Sequence, residues 1–187
     1  KIGNITLKNR IVMPPMCMYK SDDSGELKAF HKTHYLARAV GGVGLIIVEA
    51  TAVEPKGRIS DADLGLWEDS QIIQHKELNE DIHFFGAKTA IQIAHAGRKS
   101  TVKDTTPIAP SVIAFSNEEP FKIPISASLE DIKNIKELFV KTAIRAKSAN
   151  YDAIELHAAH GYLLCEFLSP LSNTREDIYG GSLENRC

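Results

Sequence analysis

Short apolar runs recur along this chain, and each is followed by a segment whose apolar residues have helical spacing. The clearest run is residues 43–50, which is apolar at almost every position. A strand with one solvated face alternates apolar and polar residues, whereas a strand covered on both faces is apolar nearly throughout. The run therefore predicts an inner strand of a parallel sheet.

The same pattern along the chain predicts four strands and four helices. The predicted strands are residues 10–16, 43–50, 88–94 and 153–156. The predicted helices are residues 28–40, residues 69–85, a helix opened by the N-cap signature at 128–131, and one that begins at Ser182. In the first helix, the spacing favours Leu36, Ala37 and Val40 as the buried face.

Strand–helix units of this length join parallel strands by right-handed crossovers, as in doubly wound sheets and TIM barrels. A doubly wound nucleotide-binding sheet usually has a glycine-rich turn after its first strand. Here that turn is Pro-Pro-Met-Cys at residues 14–17. The absence of glycine from the turn after the first strand therefore argues against the doubly wound alternative.

A barrel instead predicts polar residues at the carboxyl end of each strand, where its loops carry the chemistry. Such residues follow the four strands in turn: Cys17 and Tyr19, Glu49 and Thr51, Gln92 and His95, and His157 and His160. We therefore predict an α/β fold of the (β/α)8 TIM-barrel class, of which this chain supplies about the first four βα units. Residues 1–187 would be the N-terminal part of a single barrel domain whose C-terminal half is absent from this sequence, since such barrels typically need ~250 residues.

Charge and composition exclude several classes of protein. The formal net charge is −2, and the basic residues are scattered, so no nucleic-acid partner is expected. No apolar stretch approaches the ~20 residues of a transmembrane helix, so no membrane partner is expected. Three cysteines without a CxxC pair indicate neither a disulfide framework nor a zinc knuckle, and they suit a reducing cytoplasm.

The segment from Asp152 to Tyr162 contains the densest chemistry. Its apolar run stops at His157, and His160 and Tyr162 follow. Two imidazoles can stabilise a developing oxyanion, and a phenol can supply a proton. A His-x-x-His pair can also bind a transition metal, for which Glu155 could contribute, or the histidines can simply cap the strand. The residues alone leave these alternatives open.

Two further candidates are Gln92 and Cys17. An amide within an apolar strand costs free energy unless it is hydrogen-bonded, so Gln92 needs a partner in the backbone or in a ligand. Cys17 is either a small core residue or a thiol beside a cofactor.

Six stretches together resemble the Old Yellow Enzyme family, FMN-dependent TIM-barrel ene-reductases. They are residues 9–19, 42–50, 92–99, 155–163, 167–173 and 179–186. The pair of Cys17 and Tyr19 resembles the bacterial, thermophilic-like subgroup. The resemblance covers essentially the whole chain in order, which makes it far more specific than any one motif.

The resemblance implies an FMN over the barrel mouth and a role for each matching residue. The implied cofactor contacts are Pro14, Pro15, Met16, Cys17, Ala50 and Gln92. The implied substrate contacts are Tyr19, His157, Ala158, Ala159 and His160. The implied catalytic residues are His157 and His160, which hold the substrate oxygen, and Tyr162, which donates the proton. No metal is implied.

The resemblance further implies NADPH or NADH as reductant, an enone or nitro compound as the small-molecule substrate, and a homo-oligomer when full length. The family's C-terminal half carries an arginine beneath the flavin and the phosphate-binding loops. Two alternatives stay open: a 2,4-dienoyl-CoA reductase-like flavoenzyme, which would add a cysteine cluster outside this chain, and a truncated non-catalytic fragment.

Overall fold

The computed structural model describes residues 1–187, and a parallel sheet lies at its centre. The strands are β1 (Val12–Met13), β2 (Leu45–Ala52), β3 (Leu64–Gly65), β4 (Lys88–Ala94), β5 (Ile108–Ala109), β6 (Ile125–Ser126) and β7 (Ala153–Leu156). The helices are α1 (Ala29–Val40), α2 (Ile72–Phe84), α3 (Leu129–Ser148), α4 (Leu163–Leu168) and α5 (Leu183–Arg186). None of these helices has the length and apolar character needed to cross a membrane.

The four main strands are neighbours in the order β1-β2-β4-β7, and every pairing in this sheet is parallel. Strand β3 pairs with the end of β2, and β5 and β6 form a separate two-stranded sheet. Helices α1, α2 and α3 connect successive main strands. This is the order expected for four consecutive βα units of a barrel.

The core lies between the sheet and the helices. Strands β2 and β4 supply Ile46, Val48, Ile91 and Ile93, which are almost fully buried. Burial of such a side chain contributes about 1.5–3 kcal/mol. The edges differ from this centre, since β1 and β7 each pair on one side alone, and Leu156 of β7 is 59% exposed.

The buried face of α1 agrees with the predicted one only at Leu36, which packs against the core. His31, Tyr35 and Ala39 face the core, whereas Val40 is 64% exposed. The two polar residues are buried because Glu49 of β2 lies opposite them and accepts a hydrogen bond from Tyr35. Hydrophobic spacing cannot identify a helix face whose partner on the sheet is a carboxylate.

Several element boundaries also differ from the prediction. Strand β1 is shorter than residues 10–16 because Pro14 and Pro15 have no backbone N–H for the ladder. The first turn of the second predicted helix is a 3-10 turn, Asp69–Gln71. The N-cap at Ser128 is confirmed, since its Oγ accepts a hydrogen bond from the Asp131 N–H at 3.1 Å. The short strands β3, β5 and β6 were not predicted.

Candidate functional site

A cleft of about 550 Å³ opens at the carboxyl ends of the strands, bordered by residues that follow β1, by one residue of β4, and by residues at the end of β7 and after it. Ten of the twelve predicted site residues line it: Pro14, Pro15, Cys17, Tyr19, Gln92, His157, Ala158, Ala159, His160 and Tyr162. Met16 and Ala50 do not. Met16 is about half exposed, and Ala50 is buried within β2.

The residues after β7 form a compact aromatic group. The His157 ring lies 5.2 Å from the His160 ring and 4.9 Å from the Tyr162 ring, measured between centroids, and both pairs are nearly perpendicular. The backbone makes this possible by a sharp turn, because His160 (φ 56) and Gly161 (φ 72) are both left-handed. A histidine in that region is uncommon and signals a conformation enforced by its surroundings.

The protonation state of His157 follows from its contacts. Its Nδ1 accepts a long, 3.4 Å hydrogen bond from the Ala159 N–H, so the ring proton of the neutral form resides on Nε2. Burial, together with the neighbouring His160, lowers the pKa of His157 below its usual value. Near neutral pH this histidine is therefore an uncharged donor, and its Nε2 makes no hydrogen bond within the protein.

Tyr162 is held as a protonated phenol. Burial raises its pKa to about 12. Lys99 supports this segment from the rim, since its Nζ donates to the His160 carbonyl at 3.0 Å and lies 5.0 Å from the centre of the Tyr162 ring. The sequence offered no reason to separate Lys99 from its neighbour Arg98 as a site residue.

The side chain of Gln92 reaches across the sheet to Glu155. Its Nε2 donates to Glu155 Oε1 at 2.6 Å, while its Oε1 accepts no hydrogen bond from the protein. The two residues are partners in the β4–β7 register. Glu155 and Leu156 complete the lining of the cleft. The sequence indicated Glu155 only as a possible contributor to a metal site, through its alternation with His157, and gave no signal for Leu156.

Cys17 and Tyr19 stand on the opposite wall, on the segment after β1. Burial, with Asp63 and Glu49 adding to it, raises the pKa of the Cys17 thiol to about 12, so the thiol is neutral. Tyr19 is half exposed and left-handed (φ 52).

Other residues at the ends of strands have partners elsewhere. His95 is buried and bonds Glu54 through Nε2 at 2.9 Å, and the Thr51 hydroxyl donates to the Glu49 carbonyl. Neither residue lines the cleft. No group of three or more His, Cys, Asp or Glu side chains is arranged to hold a metal ion.

The cleft suits the ring of a flavin better than its phosphate. Its volume lies within the ~300–1,000 Å³ range of ligand pockets. The free Gln92 oxygen can accept from a ring N–H, and the buried Ala50 adds no bulk nearby. No Lys or Arg lines the cleft, so a phosphate would need groups outside it.

Similarity to known proteins agrees with this geometry. Solved structures of the same shape include morphinone reductase, with a TM-score of 0.91 and 32% identity over 98% of this chain and 53% of that chain. Old Yellow Enzyme from Pichia sp. AKU4542 gives a TM-score of 0.92 and 31% identity over 100% of this chain and 51% of that chain. These similarities confirm the predicted fold class: the chain is about half of a (β/α)8 TIM barrel.

A model of the NADH:flavin oxidoreductase / NADH oxidase family matches residues 1–187, and the chain belongs to that family. The NADPH dehydrogenase of Bacillus licheniformis is 58% identical over 186 residues, which are 99% of this chain and 54% of that protein. The NADPH dehydrogenase of Clostridium acetobutylicum is 52% identical over 185 residues, again 99% and 54%. The predicted resemblance to the Old Yellow Enzyme family is thus confirmed, and the chain spans about half the length of these relatives.

Proposed function

We propose that this chain is the N-terminal half of an FMN-dependent ene-reductase that uses NAD(P)H to reduce the C=C bond of α,β-unsaturated carbonyl or nitro compounds. The observation that carries the proposal is the convergence of His157, His160 and Tyr162 on one cleft. None of their side-chain donors has a hydrogen-bond partner within the protein. Polar groups that meet in a cleft without protein partners are the usual mark of a ligand site.

In the proposed reaction, His157 and His160 donate hydrogen bonds to the carbonyl or nitro oxygen of the substrate. Negative charge develops on that oxygen as the β-carbon is reduced, and donors already in position stabilise it. FMN held at this site would supply the hydride. Tyr162 then gives its proton to the α-carbon, for which its phenol must remain protonated near neutral pH, as its raised pKa ensures.

The proposed cofactor contacts come from three strands. Residues Pro14 to Cys17 would run along the flavin, Ala50 would pack near it, and Gln92 would bond its pyrimidine edge. On the substrate side, Tyr19 and the backbone at Ala158 and Ala159 would border the bound alkene. All of these except Met16 and Ala50 line the same cleft, which supports a shared ligand.

The proposed reductant is NADPH or NADH. The matching relatives of Bacillus and Clostridium are named NADPH dehydrogenases, and morphinone reductase has been solved in complex with tetrahydroNAD. The names therefore support a nicotinamide reductant of either kind.

We also propose that a C-terminal half completes the barrel and supplies the phosphate site. The open edges at β1 and β7 and the exposed Leu156 support further strands and helices against this sheet. Three free cysteines suit the proposed cytoplasmic location. The homo-oligomer stays a prediction.

The test is anaerobic oxidation of NADPH by the FMN-loaded protein with 2-cyclohexenone. We expect consumption of NADPH to match formation of cyclohexanone. Cyclohexanone itself, which has the carbonyl but no activated C=C bond, is the control and should not be reduced. Flavin reduction by NADPH without any reduction of enones or nitroalkenes would contradict the proposed substrate class.

A further inference from the structure

The turn of Cys17, Met18 and Tyr19 is held at the sheet by the Met18 side chain, which packs against the core, by a contact of the Cys17 thiol with the Ala50 backbone, and by one backbone hydrogen bond. The backbone of residues 14–20 makes a single hydrogen bond, from the Met18 N–H to Glu49 Oε2 at 2.9 Å. The side chains on either side of this bond, those of Cys17 and Tyr19, both line the cleft. The position of one glutamate carboxylate therefore bears on two proposed ligand contacts.

An irregularity in β2 turns the side chain of Glu49 toward α1. The register of β2 against β4 pairs Val48 with Ile91 and then Thr51 with Ile93, so Glu49 and Ala50 both stand opposite Gln92. Regular strands send successive side chains to opposite faces, and a bulge breaks that alternation. Val48 packs in the core beside the helices, and Glu49 also points to the helix side, where it meets Tyr35.

Tyr35 fixes both the backbone and the side chain of Glu49. Its hydroxyl accepts a hydrogen bond from the Glu49 N–H at 3.0 Å and therefore keeps its own proton for Glu49 Oε1, 3.1 Å away. Tyr35 is about 1% exposed. The buried phenol of Tyr35 thus orients the carboxylate through Oε1, while Oε2 faces the turn.

His31 completes the surroundings of the carboxylate. Its Nδ1 accepts a hydrogen bond from the Lys28 N–H at 3.0 Å, so the neutral ring carries its proton on Nε2. That atom is buried, has no hydrogen-bond partner, and lies 3.7 Å from Glu49 Oε1. The N–H therefore faces the carboxylate without forming a full hydrogen bond.

We propose that Glu49 is a positioning residue, which through the Met18 N–H sets where the Cys17 thiol and the Tyr19 phenol stand at the mouth of the cleft. The anchoring itself requires no ligand. Its consequences for flavin and substrate rest on the proposed function.

Burying Glu49 and straining the backbone at Tyr19 both cost free energy, which is consistent with a positioning role for Glu49. Burial raises the pKa of Glu49 to about 7, so the ionised carboxylate is poorly solvated in the fold. Tyr19 adds a left-handed backbone, which persists where surrounding contacts enforce it. The hydrogen bond to Met18 lies one residue before this strained position and is a contact that helps to enforce it.

Reactivity of the Cys17 thiol tests the anchor without relying on turnover. In the intact, FMN-loaded protein with Cys165 and Cys187 replaced by Ala, the rate of maleimide labelling at pH 8 reports on Cys17 alone. Glu49→Leu removes the acceptor and should raise the rate about tenfold or more, the scale of one lost hydrogen bond to a charged group. Glu49→Gln retains an acceptor oxygen and should stay within about threefold of the parent protein.

The pair of variants separates position from charge. Equal acceleration in Glu49→Gln and Glu49→Leu would show that the charge alone protects the thiol and would overturn the proposal. Asp152→Asn, at the opposite end of the sheet, is the control for general loss of stability. If Glu49→Leu does not fold, Tyr35→Phe, which frees the carboxylate to rotate, should raise the labelling rate at least threefold, and an unchanged rate would overturn the proposal.

A second measurement connects the anchor to the ligand. Glu49→Leu should weaken binding of phenol to the FMN-loaded protein, and Tyr19→Phe should add little further loss in that background, because the phenol of Tyr19 is already displaced. Fully additive losses would contradict the proposal. Enone reduction by the parent protein is measured separately. If the parent protein does not reduce enones but the labelling rates change as expected, the proposed function is wrong and the positioning role of Glu49 is still supported.

Discussion

Polar side chains at the two ends of the sheet differ in whether they have hydrogen-bond partners within the protein. We call the amino-terminal end of the sheet the floor and the carboxyl-terminal end, where the cleft opens, the mouth. At the floor, Asp152 bonds His83 at 2.7 Å, Lys88 at 2.8 Å and the Thr89 N–H at 2.9 Å. At the carboxyl-terminal mouth, His157 Nε2 and Gln92 Oε1 have no partner in the protein. The floor uses its polar groups to join strands and helices, whereas the mouth leaves some of the polar atoms that line the cleft without a protein partner.

Left-handed backbone, in contrast, occurs at both ends. Tyr19 and His160 at the mouth are left-handed residues other than glycine, which are energetically unfavourable, and so is Asn150 at the floor. At the floor, Asp152 lies just before β7 in a network whose bonds are all satisfied. In a barrel, the bottom face chiefly determines stability and the top face function. Substitutions at the two ends should therefore affect different measurements.

The largest effect is expected at the mouth, from His157→Ala. Loss of one donor to a developing oxyanion typically lowers the rate ~10²–10³-fold. We expect a decrease of this size in the turnover of 2-cyclohexenone, with the rate of flavin reduction by NADPH unchanged. Steady-state and stopped-flow kinetics measure the two steps separately. Unchanged turnover would show that His157 simply caps the strand.

A substitution at the floor should have the converse effect. Hydrogen bonds from Lys88, Thr89 and His83 together lower the pKa of Asp152, although burial, the largest single contribution, acts in the opposite direction. Asp152→Asn weakens these charged bonds and should cost about 1–3 kcal/mol of unfolding free energy. Urea unfolding should show this loss, with turnover per folded molecule unchanged. A large decrease in turnover would contradict the assignment of stability to the floor and of function to the mouth.

Acid should destabilise the helix side through its buried histidines. Burial lowers the pKa of both His75 and His31 to about 4, below the usual 6.5 of a histidine. The unfolded chain therefore binds more protons between these values, and stability present above pH 6.5 is lost as the pH falls toward 4. Each histidine should contribute about 2 kcal/mol of this loss between pH 7 and pH 5.

His75→Gln isolates one of these contributions. Urea unfolding of the parent protein and the variant at pH 7 and pH 5 should show a smaller loss in the variant by about 2 kcal/mol. Glu49 acts in the opposite direction, because burial raises its pKa to about 7 and its contribution is lost as the pH rises. The difference between parent and variant removes that common term. Equal losses would mean that His75 is not buried as a neutral ring.

The smallest effect is expected from Cys17→Ala. The proposed chemistry needs no protein nucleophile, and the raised pKa of the thiol keeps it neutral and unreactive. We expect a shift in flavin reduction potential and a change in substrate affinity of less than about tenfold (below ~1.4 kcal/mol), with alkene reduction retained. A covalent adduct between Cys17 and substrate that turns over would refute this assignment.

The sequence predicted which residues share the cleft better than it predicted the details of the fold around them. Apolar runs identified β2, β4 and β7, and the rule that chemistry follows the ends of parallel strands then brought His157, His160, Gln92 and Cys17 to one mouth. The same rule could not predict which residues at the strand ends point away from the cleft and pair with other parts of the protein. His95 pairs with Glu54 and Glu49 with Tyr35, and both pairings depend on contacts distant in sequence.

The buried face of α1 shows the physical limit of such prediction. Spacing favoured Leu36, Ala37 and Val40. Of these Leu36 packs against the core, but the residues that the helix buries most fully include His31 and Tyr35. A bulge in β2 turns Glu49 toward this helix, and a bulge leaves no clear mark in an apolar run.

A crystal structure of the FMN-loaded protein with bound phenol would test the central claim most directly. The account predicts that the phenol oxygen lies within hydrogen-bonding distance of His157 Nε2 and the His160 ring, beside Cys17 and Tyr19. It also predicts that the amide of Gln92 bonds the flavin ring. A flavin bound away from the ends of β1, β4 and β7, or a phenol without contact to either histidine, would contradict it.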